Sequence, residues 1–209
     1  LVNAQPFYQS YIIVHKDSQA KTVHDLKGLT FAFVDPKSNT GRLYPAYVLA
    51  KMHETPEVFF GSTLYSYSHN KSVEIVAKKR AAGAAVDSIV YNYMRATSSP
   101  YVDETKIIHR SQHFGIPPVV VPPGLSPFLK SAIREVFLAM HTDPEGRRIL
   151  DGMKIDKFVL VPDSNYDSIR AMRAFIENNK LMVNRQKPEI IKSSVNASDI
   201  IYFGILPRD

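Results

Sequence analysis

The segment from Leu29 to Val34 constrains the fold most, because it is apolar at nearly every position. A strand that is apolar on both faces suits a parallel sheet covered by helices, whereas a half-exposed strand alternates apolar and polar residues. The polar loop Asp35 to Gly41 follows, and Arg42 to His53 then shows helical periodicity, with one stripe formed by Leu43, Ala46, Tyr47 and Ala50. The segment therefore predicts a strand, loop and helix unit of an α/β fold.

Further strands and helices alternate along the chain. The periodicity and the turn residues predict these elements: a strand over 10–15, a capped turn over 22–28 that stops at Gly28, a helix over 71–81, a strand over 84–90, a strand over 119–121, helices over 127–140, over 145–151 with Gly152 as its end, and over 166–178, and a strand over 200–207. A strand that begins so near the last residue needs a partner to pair with.

Composition narrows the class of function. The 209 residues suffice for one domain of moderate size or two small lobes, and the apolar runs are far shorter than a membrane span. The chain has no cysteine, which excludes thiolate metal sites and disulfides. A net charge of +6 on scattered basic residues argues against nucleic acid, while small anionic ligands remain open.

The first candidate site is the loop Ser38, Asn39, Thr40 and Gly41, between a buried strand and a helix. Free N–H groups at a helix start, together with small hydroxyl and amide side chains, can bind an anion. We expect Gly41 to let a ligand approach the backbone closely. The same residues also suit an ordinary capped helix. The loop lacks the lysine and spacing of a nucleotide-binding P-loop.

Ser68 and His69 form a second candidate, immediately before the next predicted helix. Hydroxyl, imidazole and helix start together can hydrogen-bond phosphate-like oxygens, although a single histidine in a polar loop is also often solvent-facing. Asp87 is the only carboxylate in an apolar, strand-like run, and a structural role is as reasonable for it as a functional one. No metal-ligand spacing, nucleophile elbow or acid/base pair appears, so neither a metal, a cofactor nor an enzyme is expected.

Tyrosines recur next to these loops, and Tyr8 and Tyr91 are the two that we take as candidate ligand contacts. A phenol offers an apolar face and a hydrogen-bonding tip, which suits the lining of a small-ligand cleft. It suits a half-buried surface equally well.

Taken together, the order and spacing of these segments resemble one family, the PhnD-like phosphate, phosphite and phosphonate substrate-binding proteins of ABC transporters. The resemblance runs from about Gln5 to about Arg173. It rests on several short motifs in sequence: Lys16-Asp17-Ser18, Asp25-Leu26-Lys27-Gly28, Phe33-Val34-Asp35-Pro36, Ser38-Asn39-Thr40-Gly41 with Tyr44-Pro45, Ser68-His69, and Ala85-Val86-Asp87-Ser88.

The resemblance implies a type 2 periplasmic-binding-protein-like α/β fold, with two lobes and a ligand cleft between them. It implies that residues 17–113 form the complete lobe with the oxyanion loops, and that 1–16 and 114–180 supply crossing strands and part of the other lobe. It also implies ligand contacts from Ser38, Asn39, Thr40 and Gly41, from Ser68 and His69, from Tyr8 at the hinge side, and more weakly from Tyr91.

The implied ligand is a small phosphorus oxyanion such as phosphate, phosphite or an alkylphosphonate. Relatives that bind aminoalkyl phosphonates place carboxylates near the amine, whereas the matching positions here are Met94 and Pro117, so we expect a ligand without an amine. Asn39 stands where the family more usually has a hydroxyl residue. The implied location is periplasmic or extracytoplasmic, and a membrane tether is compatible with it.

The resemblance also implies a partner, either an ABC permease or a transmembrane signalling element. Relatives normally begin with a further segment before the first crossing strand, so the first lobe is expected to be incomplete at its N-terminus. Residues 181–209 are then expected to form a linker. Within them, residues 200–207 are expected to form either the first strand of a following tandem copy or a strand that completes the lobe. Tandem copies favour the sensor region of a histidine kinase as the alternative function; a non-binding interaction domain is another, and an enzyme acting on a phosphorylated compound is a weaker one.

Overall fold

The computed structural model describes Val2 and residues 5–185, with side chains up to residue 179. The predicted strand over 200–207 lies outside the described residues. Within them the chain forms two compact units. The larger unit comprises residues 8–114 and 166–185, and the smaller unit comprises Val2, residues 5–7 and 115–165.

The described elements alternate in type along most of the chain. The strands are β1 (Phe7–Tyr8), β2 (Ser10–His15), β3 (Thr30–Phe33), β4 (Ser62–Tyr65), β5 (Gly83–Asp87), β6 (Thr105–Arg110) and β7 (Phe114–Gly115). The helices are α1 (Tyr44–Lys51), α2 (Pro56–Phe59), α3 (His69–Ala77), α4 (Ser88–Ala96), α5 (Pro127–Ala139), α6 (Pro144–Met153) and α7 (Asp167–Arg185). A π-helical turn, Asn39–Leu43, leads directly into α1.

The larger unit is built on a five-stranded mixed sheet with the order β4-β3-β5-β2-β6. Strand β3 runs parallel to both β4 and β5, as its apolar sequence predicts. Strand β2 is antiparallel to β5 and β6, and Ser10 at its start lies opposite Asp87 at the end of β5. The short strands β1 and β7 pair separately.

Alternate side chains of the sheet enter two apolar cores, one on each face. One core collects residues from β2, β5, α3 and α4, including Ile13, Val86 and Val73. The opposite core collects Phe31, Phe33 and Leu49 with the aromatic pair Phe59 and Phe60. Both faces of β3 and β5 are therefore covered, which explains why these strands carry almost no polar residues. Helix α7 packs beside α1, where the rings of Tyr47 and Phe175 are 5.3 Å apart.

Most predicted elements of the larger unit are confirmed: the strands over 10–15 and 29–34, the turn at Gly28, whose φ is +74°, and the helices over 42–53 and 166–178. The helix predicted over 71–81 is present as α3, but it begins at His69 and ends at Ala77. The strand predicted over 84–90 was too long, because it ends at Asp87 and α4 begins at Ser88. Strands β4 and β6 were not predicted; β4 is a largely exposed edge strand with little apolar signal.

In the smaller unit, α5 and α6 confirm the helices predicted over 127–140 and 145–151. Gly152 does not end α6 as predicted, since the helix continues to Met153 and Lys154 closes it in the left-handed conformation with φ 56°. The strand predicted over 119–121 is wrong: this segment is exposed and forms no strand. Pairs of prolines flank it on both sides and remove N–H donors from its ends.

Candidate functional site

Three loops meet at one edge of the sheet in the larger unit. Because β3, β4 and β5 are parallel, their carboxyl ends lie at the same edge, and the loops that follow begin there. The antiparallel β2 brings its amino end to this edge as well, through the pairing of Ser10 with Asp87. Ligands of open α/β sheets bind at such carboxyl edges. The predicted loops, Ser38 to Gly41 and Ser68 with His69, both start here.

The first loop becomes a π-helical turn whose start is capped by Ser38. The Ser38 Oγ accepts a hydrogen bond from the Gly41 N–H at 2.9 Å, and the Tyr44 N–H closes the wide turn onto the Asn39 carbonyl. Within the described part of the chain, the N–H groups of Asn39 and Thr40 have no acceptor. Unpaired donors at a helix start carry partial positive charge and can bind an anion.

Contacts from β1 and β2 hold this turn in place. Ser10 Oγ donates to the Thr40 carbonyl at 2.7 Å, and Asn39 Nδ2 donates to Tyr8 Oη at 3.0 Å. Tyr8 is buried, and burial together with the charge of Asp87 raises the pKa of its phenol. The phenol is thus a neutral group at this edge, as its predicted role as a ligand-side hydroxyl requires. Asn39 Oδ1 is buried without a hydrogen-bond partner among the described residues.

Gly41 is glycine for a different reason than the sequence suggested. A Cβ at this position would lie 2.5 Å from Cβ and Cγ2 of Val34 and 2.9 Å from Ser38 Oγ. The space is already filled by the protein, and its N–H is taken by Ser38. Close packing of the turn on the end of β3 therefore accounts for the glycine, and close approach of a ligand is not needed to explain it.

The second loop presents His69 at the first position of α3. Its Nδ1 accepts the backbone N–H of Asp87 at 3.0 Å, so the neutral ring carries its proton on Nε2. Burial lowers the pKa of His69 to about 4, and Asp35 opposes this shift. The imidazole is therefore a neutral, fixed donor at neutral pH. No hydrogen bond of Nε2 is found within the described part of the chain.

Ser68 precedes α3 but its side chain does not cap the helix. Ser66 instead ties the loop together, because its Oγ donates to the Ser68 carbonyl at 2.9 Å and lies 2.6 Å from Ser72 Oγ. Across the described residues, the N–H groups of His69 and Asn70 lack an acceptor. This helix start therefore presents a second set of donors beside the imidazole.

Asp87 connects the second loop to the start of α4, a role that the sequence left open. Its Oδ1 accepts the N–H groups of Ile89 and Val90 at 2.6 and 3.4 Å, which caps α4. Its own backbone N–H orients His69, and burial raises the pKa of its carboxyl to about 7. In the sequence, the only sign of this role was that Asp87 is the lone carboxylate of a buried strand.

Tyr91 and Met94 lie in the apolar core on one face of the sheet, away from these polar contacts. Tyr91 is fully buried, its hydroxyl pairs with Thr105 Oγ1 at 2.9 Å, and its ring packs against Tyr11. These are the contacts of a core residue, so we leave Tyr91 out of the proposed site. Met94 belongs to the same apolar core cluster.

The guanidinium of Arg42, which follows the first loop, contacts three residues of the same unit. It stacks 4.6 Å from the centroid of Phe33, donates from Nε to Tyr65 Oη at 3.1 Å, and lies 3.5 Å from Glu57. The donors described above at this edge are neutral: backbone N–H groups, hydroxyls and an imidazole.

The fold is that of the type 2 periplasmic binding proteins, which are its structural neighbours. A family model described as "ABC transporter, phosphonate, periplasmic substrate-binding protein" matches residues 1–166, and the chain belongs to this family. The predicted family and α/β fold are confirmed.

Relatives of known name agree with this assignment. The phosphonates-binding periplasmic protein of Escherichia coli is 26% identical over 187 residues, which are 88% of this chain and 55% of the relative. The crystal structure of a binding protein component of an ABC phosphonate transporter from Pseudomonas aeruginosa is 28% identical, with a TM-score of 0.78, over 86% of this chain and 61% of that one. The chain thus spans little more than half the length of these two relatives.

A third relative supports the fold alone. The structure of PhnD1 from Prochlorococcus marinus in complex with methylphosphonate has a TM-score of 0.72 and is 18% identical, over 85% of this chain and 70% of that one. Among the described residues, no helix combines the length and apolarity needed to cross a bilayer. The same residues contain no cluster of three or more histidine and acidic side chains that could hold a metal.

Proposed function

We propose that this chain binds a small phosphorus oxyanion outside the cytoplasm and serves as the substrate-binding part of an ABC-type uptake system. One observation carries the proposal. Two helix starts with unpaired N–H groups, after Ser38 and after Ser68, open at the same sheet edge beside the Nε2–H of His69. A tetrahedral anion with several oxygens can accept from such a set of donors.

The proposed contacts are the N–H groups of Asn39 and Thr40, the hydroxyls of Ser38 and Ser68, and the imidazole of His69. Ser38 Oγ uses its oxygen to cap Gly41 but keeps its hydrogen for a ligand. Tyr8 likewise accepts from Asn39 and keeps its own O–H. Gly41 contributes by fixing the turn. Tyr91 has no part in the proposed contacts.

The ligand class is supported by the relatives, which are named for phosphonates. Phosphate, phosphite and methylphosphonate share the tetrahedral oxyanion that these donors fit. That the ligand carries no amine stays a prediction. Aminoalkyl phosphonates therefore belong in the test panel as an open comparison. An ABC permease is the proposed partner, since the family is the binding component of such transporters.

Isothermal titration calorimetry of the chain with phosphate, phosphite, methylphosphonate and 2-aminoethylphosphonate tests this function. We expect at least one of the four to bind, and the ligand to raise the unfolding temperature, because ligand at 100 times its dissociation constant adds about 2.7 kcal/mol. His69→Ala is expected to weaken binding about 10- to 100-fold by removing a buried donor.

His24→Ala is the matched control, because His24 precedes β3 at the opposite end of the strands and is exposed. It should leave binding unchanged. If none of the four anions binds or stabilises the chain, the proposed function is wrong.

A further inference from the structure

The first loop is a π-helical turn, in which each backbone hydrogen bond reaches five residues back instead of four. The Leu43 N–H donates to the Ser38 carbonyl at 2.9 Å, and the Tyr44 N–H donates to the Asn39 carbonyl. Because a peptide is planar and trans, its C=O and its N–H point in opposite directions. The carbonyl of Ser38 therefore sets the direction of the Asn39 N–H, and the carbonyl of Asn39 sets that of the Thr40 N–H. The two wide bonds thus direct both N–H groups of this loop that are proposed to bind the anion.

The wide turn cannot continue to the Thr40 carbonyl. The next bond of the same kind would come from position 45, which is a proline without an N–H. Ser10 at the start of β2 supplies the hydrogen instead, because its Oγ donates to the Thr40 carbonyl at 2.7 Å. Ser10 is fully buried, and Ser111 holds its backbone by accepting its N–H at 2.8 Å and donating to its carbonyl at 3.0 Å. The hydroxyl therefore reaches the turn from a fixed position on the sheet.

An ordinary α-helical register is the alternative for this turn. In that register the Tyr44 N–H would donate to the Thr40 carbonyl, four residues back, and the Asn39 carbonyl would lose its donor. The Thr40 N–H would then no longer be held in its present direction. Because Ser10 already donates to the Thr40 carbonyl, it favours the wide register. Wide turns of this kind are rare in helices and occur frequently at functional sites.

We propose that Ser10 is a positioning residue of the anion site, which holds the first loop in the π-helical register by donating to the Thr40 carbonyl. This inference rests on the proposed function and deepens it. The Ser10 hydroxyl is buried and bound to Thr40, so it acts on the anion only through the N–H groups of Asn39 and Thr40. The proline of the Tyr44-Pro45 motif has a role in this device, because its missing N–H makes the turn depend on Ser10.

Ser10→Ala removes the donor to the Thr40 carbonyl. We expect it to weaken binding about 10-fold or more, by calorimetry, for whichever of phosphate, phosphite and methylphosphonate binds the natural chain most tightly. Thr105→Val is the matched control, because Thr105 is also a buried hydroxyl residue and donates to the Val102 carbonyl at 2.9 Å. Thr105 pairs with the far end of β2. Thr105→Val should therefore lower the unfolding temperature and leave the affinity unchanged.

Pro45→Ala provides a rescue that a merely structural role of Ser10 would not produce. The alanine restores a backbone N–H five residues after Thr40, where it can replace the lost hydroxyl. In the Pro45→Ala background we expect Ser10→Ala to weaken binding by less than about 3-fold. Equal losses in the two backgrounds overturn the inference. If Ser10→Ala alone does not fold, a double variant that folds and binds supports the inference, and one that does not overturns it.

Crystal structures of the natural chain and of Ser10→Ala show the register without any ligand. We expect the Tyr44 N–H to donate to Asn39 in the natural chain and to Thr40 in the variant. A wide turn that persists in Ser10→Ala, or an affinity that does not change, overturns the inference while the proposed function stands. If none of the anions binds the natural chain although the register shifts as expected, the proposed function is wrong, and the role of Ser10 in binding falls with it.

Discussion

Asp87 donates its backbone N–H to Nδ1 of His69 over 3.0 Å, across 18 positions of sequence. This bond connects the end of β5 to the start of α3 and fixes which ring nitrogen carries the proton. His69 is therefore a neutral Nε2–H donor rather than a cation, and its pKa of about 4 keeps it so at neutral pH. The behaviour of the candidate site with pH follows from this arrangement.

The first prediction concerns the protonation of His69. We expect its imidazole resonances to show the Nε2–H tautomer and no titration between about pH 5 and pH 8, because burial holds the pKa near 4. Nitrogen-detected NMR of the chain checks this, with His69→Gln used to assign the signal. A ring that titrates near its ordinary pKa would show that the Asp87 contact does not persist in solution.

A second prediction concerns acid stability. The folded pKa of His69 lies below its unfolded value of 6.5, so its contribution is complete above pH 6.5 and is lost as pH falls toward 4. The loss amounts to at most roughly 3 kcal/mol across that window. Urea unfolding at several pH values should show His69→Gln losing less stability on acidification than the natural chain. Parallel pH profiles for the two proteins would contradict the prediction.

Asp87 is predicted to lower the stability of the folded protein as the pH rises, which is the opposite of the effect of His69. Its folded pKa of about 7 lies above the ordinary 3.8, so its contribution is complete below pH 3.8 and is lost as pH rises through 7. Asp87→Asn should remove this loss while keeping the cap of α4, so its stability relative to the natural chain rises from about pH 4 to pH 7. Urea unfolding of the two proteins at several pH values measures this difference in stability. A stability difference that does not vary with pH would show that the carboxyl titrates normally.

Gly41→Ala tests the packing of the first loop. The added Cβ would meet Val34 at 2.5 Å, so we expect a loss of about 1–3 kcal/mol in the free energy of unfolding. Val34→Ala in the same chain removes Cγ2 and should recover part of that loss beyond additivity. Chemical denaturation of both single variants and the double variant measures the coupling. If Gly41→Ala alone is neutral, the turn has room that the structure does not show.

Tyr91→Phe and Tyr8→Phe should separate the core tyrosine from the site tyrosine. Tyr91→Phe removes the bond to Thr105 and is expected to cost about 1 kcal/mol of stability without altering anion binding. Tyr8→Phe removes the acceptor for Asn39 Nδ2 and should weaken binding. Thermal unfolding and calorimetry of both variants check this pair. Weaker binding by Tyr91→Phe at unchanged stability would place Tyr91 in the site after all.

The sequence was sufficient to locate the two candidate loops, because buried strands, small polar residues and helix periodicity are local signals. Spacing along the chain could not show that β2 is antiparallel or that its amino end joins the same edge. The strand predicted through Val90 failed because β-branched Ile89 and Val90 favour a strand, while the Asp87 cap starts a helix there. The burial of Tyr91 was likewise not visible in the sequence, since it depends on the place of Tyr91 on α4.

The contacts of the Arg42 guanidinium also affect how the candidate site would attract an anion. Its positive charge is held by Phe33, Tyr65 and Glu57, so under the proposed function the N–H groups of the neighbouring loop would attract an anion through their dipoles and not through this guanidinium. Dissolved ions weaken attraction between exposed charges over about 8 Å at physiological ionic strength, but they scarcely affect short hydrogen bonds from neutral donors. We therefore expect the affinity of the proposed site for its anion to change little with salt concentration.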